Sequence, residues 1–85
     1  MRTITLDNGT VLAGSCDLDN GYLFMNVCGI DLQDGERFFG DPENTKRIVY
    51  VSFRHEYVYE GYTEMNSIAE DGDHLLVVMR RPANA

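Results

Sequence analysis

Tryptophan is absent from this chain of 85 residues, cysteine and proline occur twice each, and seven Lys and Arg stand against fourteen acids. Cys16 and Cys28 cannot build a disulfide framework, a CxxC pair or a zinc cluster by themselves, so they read as small apolar residues in a reducing setting. The formal net charge of -7 argues against nucleic acid or an anionic membrane as partner, because phosphate binding needs clustered cations. Arg80-Arg81 is a basic pair that closes a strand, not a patch. No apolar run approaches the length of a bilayer span, and the opening MRTITLDNGT lacks the apolar stretch of a signal peptide. A cytoplasmic or virion-associated protein is the expectation. No Gly-rich loop leads from a strand into a helix, so no nucleotide cofactor is expected, and none of another kind.

What is present is an ordinary globular composition, 44% apolar and 25% charged, which predicts one folded domain over residues 1–85 with a loose tail at 82–85. Thr3 to Leu6 alternates as a half-buried strand does, and Asn8-Gly9 supplies a hairpin corner. Asn20-Gly21 repeats the device, joining VLAGSCDL to YLFMNVCGI, where Leu23, Met25 and Val27 share one face and Tyr22, Phe24, Asn26 and Cys28 the other. With Asn20 and Gly21 as the two turn residues, Cys16 falls opposite Met25 and Cys28 opposite Ala13, so the thiols are not cross-strand partners.

The segment GIDLQDGERFFGDPENT breaks the alternation and predicts one short helix. Asp31 caps it, Asp34 takes the capping-box position, Gly40 before Asp41-Pro42 stops it, and Leu32, Phe38 and Phe39 face inward. Gly35 in its middle opposes it, since Gly costs about 1 kcal/mol relative to Ala inside a helix. Strand grammar then returns: RIVYVSF, a corner at Arg54-His55-Glu56, the long YVYEGYTEMNSI with a bulge or bend at Gly61, the acidic turn AEDGD, and HLLVVMR, apolar on both faces and ended by Pro82. The expected fold is α+β and mainly β, a single twisted antiparallel meander of six or seven strands, able to curl into a partial barrel, with one short helix between strands three and four. Short corners lead us to expect sequence-adjacent strands to pair.

The repeated LDNG invites a calcium reading, because DLDNG at Asp17 to Gly21 opens as an EF-hand loop does. The later ligand positions carry Gly21, Tyr22 and Cys28, which rejects the template. Both copies are corners. The acids around His74 in AEDGDH, and His55 between Arg54 and Glu56, read as turn chemistry, so no catalytic residue and no metal site is expected. The concentrated feature is aromatic. Tyr50, Phe53, Tyr57, Tyr59 and Tyr62 fall on consecutive strands among Glu56, Glu60 and Glu64. Tyrosine combines a large apolar body with a polar tip, and it suits both interfaces and half-buried sheet. The candidate interface is Tyr50, Tyr57, Tyr59, Glu60, Tyr62 and Glu64.

The stretches FFGDPENTKRIVYV and VYEGYTEMNSI, within residues 38 to 68, resemble small uncharacterised proteins encoded among the head-tail structural genes of phages and prophages of gut Firmicutes and related bacteria. That resemblance implies a virion or tail-assembly accessory that acts by contact. The leading expectation is therefore a non-enzymatic protein–protein interaction module, binding a protein partner or itself. Its rivals are an acidic inhibitor that mimics nucleic acid, which needs a stripe of carboxylates, and a small hydrolase-like enzyme using a His with a carboxylate.

Overall fold

Asn20 and Gly21, both at positive φ (55° and 80°), make the two-residue corner between β2 (Val11–Asp19) and β3 (Tyr22–Cys28). The register that follows sets Cys16 opposite Met25 and Ala13 opposite Cys28, as the sequence predicts. β1 (Arg2–Thr5) pairs with β2 across the Asn8-Gly9 corner, where the Asn8 Oδ1 accepts from the Thr10 N–H at 2.9 Å. In this computed structural model, which describes residues 2–83, four more strands complete one antiparallel sheet: β4 (Arg47–Ser52), β5 (His55–Glu60), β6 (Glu64–Asp71) and β7 (His74–Arg80). The spatial order is β5-β4-β1-β2-β3-β7-β6. Residues 82 and 83 are exposed without regular structure, and the rest of the expected tail, 84 and 85, lies outside the described residues.

The expected helix is present as α1 (Leu32–Phe39), followed by a 3-10 turn at Pro42–Asn44, between β3 and β4. Asp31 caps it by accepting from the Asp34 N–H at 2.8 Å, and Gly40 ends it by donating to the Glu36 carbonyl. Gly35 has a packing reason. A Cβ there would stand 2.5 Å from Leu75 Cδ1 and 3.0 Å from Ile68 Cδ1, so the missing side chain lets the helix approach β7 and β6 closely.

Sequence neighbours pair within β1-β2-β3, β4-β5 and β6-β7. Contrary to expectation, β3 does not pair with β4, nor β5 with β6; β4 joins β1 and β7 joins β3 instead. The segment read as one long strand is broken at Gly61, whose φ is 85°, and its halves become the two opposite edges of the sheet. Residues 61–63 carry the chain from one edge to the other. Four Cα steps of 3.8 Å reach about 15 Å, whereas seven flat strands at 4.8 Å spacing would span about 29 Å. The sheet must therefore curl, and it does so without closing, since β5 and β6 share no ladder.

The concave side holds the core. Ile4, Leu23, Met25, Val27, Ile48, Val77 and Met79 are buried there with Phe39 from α1, and Tyr50 and Tyr62 join them. Parity of the ladders puts Thr3, Ser15, Phe24, Asn26, Cys28, Val49, Leu76 and Val78 on the other face, which no helix covers.

Candidate functional site

The six candidate interface residues do not form one surface. Tyr50 and Tyr62 are 7% and 5% exposed and belong to the core. Tyr57 stacks on Tyr50 with ring centroids 5.8 Å apart, and Tyr59 meets Tyr62 edge to face at 6.3 Å. Burial pushes the Tyr59 phenol above its ordinary value, with Cys16 and Tyr57 adding to the shift. Glu60 ends β5 and is exposed, whereas Glu64 begins β6 at the far edge and is held by Arg80. Most of the tyrosine run thus serves the curled end of the core. The pattern of aromatic residues is shared by interfaces and half-buried sheet, and burial separates them only after folding.

Residues 53 to 58, at the β4–β5 margin, are exposed. The corner is Phe53-Arg54, one position earlier than the sequence suggests, and it brings Ser52 opposite His55. Phe53 occupies positive φ (56°) and is 71% exposed, with the Arg2 guanidinium 5.6 Å from its ring centroid. A bulky residue there is strained by about 1–2 kcal/mol, and glycine or asparagine is the usual occupant. Beyond it, His55, Glu56, Tyr57 and Val58 are all exposed on an edge strand with no outer partner. In a two-residue hairpin the closing pair is hydrogen-bonded and the pairs alternate, so Ser52–His55 and Tyr50–Tyr57 exchange bonds while Glu56, Val58 and Glu60 direct their N–H and C=O groups outward. The Glu60 carbonyl fits that alternation, since it accepts from Arg81 Nε at 3.1 Å. Glu56 and Val58 keep a free outward edge.

The uncovered face carries a shallow groove of about 420 Å³ lined by Ser15, Asp17, Phe24, Asn26, Leu76 and Val78 among others. Phe24 and Leu76 are 43% and 41% exposed, and the Asn26 Oδ1 is buried without a hydrogen-bond partner. Neither histidine lines this groove. His55 lies beside the Tyr57 ring, 6.3 Å between centroids, and His74 meets Cys28, a pairing that sequence reasoning missed because 46 residues separate the two. The β3–β7 ladder that joins them follows from no local corner.

Many acids are engaged locally. Asp31 and Asp41 cap α1 and the 3-10 turn, Asp7 accepts from the Arg47 N–H at 3.0 Å, and Asp34, Glu43 and Glu64 pair with Arg37, Lys46 and Arg80. Among the described residues, no three His, Cys, Asp or Glu converge as metal ligands, and no helix is long and apolar enough to cross a membrane. Comparison with protein-family models, curated proteins and solved structures finds no match for this chain.

Proposed function

We propose that the protein is a non-enzymatic interaction module that binds a protein partner along its β5 margin, by adding the partner's extended segment to the sheet. The observation that carries this reading is an edge strand left unprotected: β5 has no proline, lysine or bulge, and Glu56 and Val58 point unpaired backbone groups outward beside the exposed Phe53. The strained, solvent-facing Phe53 supports it, because strain of this kind persists where a bound state uses it. At the other edge, β6 is interrupted by a register shift between Met65 and Ser67, which blunts it.

The chemistry of the margin favours a cationic partner strand. Two copies of β5 paired antiparallel about Val58 would set each Glu56 opposite a Glu60, and like charges directly opposite destabilise a ladder. A partner with Lys or Arg at alternating positions answers both carboxylates. The phage-assembly setting implied by the sequence resemblance supplies candidates, namely the products of neighbouring genes in a head-tail cluster.

The test is co-expression with those neighbouring products, followed by light scattering and calorimetric titration. A complex is expected that weakens with added salt and is lost in Val58→Pro, which removes an outward N–H without touching the β4 ladder. A complex kept intact by Val58→Pro, or a strict monomer that binds none of the neighbours, would overturn the proposal.

A further inference from the structure

Cys28 ends β3 and His74 begins β7, and the ladder between these strands sets the two residues directly opposite each other. Their side chains meet on the uncovered face, with Cys28 Sγ 2.8 Å from His74 Nδ1. An unprotonated Nδ1 accepts from S–H, so the imidazole is placed to take the thiol proton. The thiol is only half-buried. The chain leaves the sheet at the next residue, Gly29, where a Cβ would meet nothing within 4 Å, so the strand end is open to an incoming molecule.

Other chemistries fit this pair less well. Among the described residues no carboxylate is hydrogen-bonded to His74, and no third ligand completes a metal set. The groove begins one cross-strand row away, at Asn26 and Leu76, so the pair offers a reactive sulfur at the rim and no enclosed substrate site. Cys16 provides the contrast within the same chain. It packs against the core opposite Met25, on the other face of the sheet, and burial pushes its thiol up to about 12.

We propose that Cys28 is a site of thiol–disulfide exchange, with His74 as its base, that captures small-molecule disulfides as mixed disulfides. In the step His74 Nδ1 accepts the Sγ proton and the Cys28 sulfur attacks one sulfur of the incoming disulfide. A new S–S bond forms as the old one breaks, and the departing thiolate recovers the proton from His74. The incoming disulfide is reduced, releasing one thiol, and Cys28 is oxidised to the disulfide level. Cys16 lies on the opposite face and cannot resolve the adduct, so an external thiol is needed to reverse it.

The experiment treats the native full chain at pH 7 with dithiodipyridine, follows release of the pyridinethione, and maps the adduct by mass spectrometry. One thiol per chain is expected to react, at Cys28. An unassisted thiol is ionised to only a few per cent at this pH, so His74→Ala should slow the reaction about tenfold with the circular dichroism unchanged. Should that variant unfold, His74→Gln, which keeps bulk without a base, carries the same expectation, and the wild-type map decides the site without any variant. An adduct on Cys16, no native reaction, or a folded His74 variant reacting within twofold of wild type would overturn the proposal.

Discussion

Thr45 shows what one atom contributes. It is fully buried after the 3-10 turn, and its Oγ1 has no hydrogen-bond partner. An unsatisfied buried hydroxyl costs about 1–3 kcal/mol, and valine has the same shape without it. Thr45→Val should therefore raise stability by about 1 kcal/mol in urea denaturation, and a loss would mean that the hydroxyl is satisfied in solution. Cys16 makes a second prediction through its proton. Its thiol is raised from 9.0 to about 12 by burial. The unfolded chain releases that proton above pH 9 while the folded chain keeps it to about pH 12, so stability is full below pH 9 and falls through this window by about 1.4 kcal/mol per unit. Between pH 8 and pH 10.5, wild type should lose about 2 kcal/mol more than Cys16→Ala, read from paired urea titrations. The thiol itself was plain in the sequence. It packs against the core on the face it shares with its register partner Met25.

Among the elements, α1 is where local propensity and packing disagree. Glycine at position 35 weakens the helix, yet the same glycine admits Leu75 and Ile68 to within contact of the backbone. In Gly35→Ala the helix gains about 1 kcal/mol of propensity, while forcing a methyl into a filled core costs about 1–3 kcal/mol. The steric effect should win, leaving a net loss of about 1 kcal/mol in thermal or urea unfolding. A gain would show that Leu75 and Ile68 repack freely. The caps Asp31 and Gly40, the Asn-Gly corners and the register of β2 with β3 were legible, because each rests on residues close in the chain. The β4–β5 corner was displaced by one residue because Phe53, with no intrinsic preference for positive φ, holds the position where Gly or Asn would have marked it. That displacement hid the place of Phe53 at the exposed tip of the hairpin.

For the whole molecule the decisive segment is the link at 61–63. Its length forces the sheet to curl, and Arg81 secures it, with its guanidinium 4.8 Å from the Tyr62 ring centroid and its Nε bonded to the Glu60 carbonyl. Gly61 turns the chain at φ 85°, where an L-residue is strained by about 1–2 kcal/mol. Gly61→Ala should therefore lower the unfolding free energy by about that amount, and an unchanged midpoint would mean that the crossing relaxes elsewhere. Strand order belongs to this scale also. β7 sits between β3 and β6 because apolar residues on both of its faces suit an interior strand, which the sequence signalled without naming its neighbours.

The sequence by itself determined the strand-rich class, the capped helix, the first two corners and the β2–β3 register, because alternation, turn chemistry and capping act over a few residues. The tertiary structure alone decided that β3 lies beside β7, that β5 and β6 become opposite edges, and hence which tyrosines are buried. It also brought Cys28 to His74. These depend on closing loops of tens of residues around a shared core, where many pairings satisfy the same local pattern and only the packing of Gly35, Phe39 and the curled sheet selects among them.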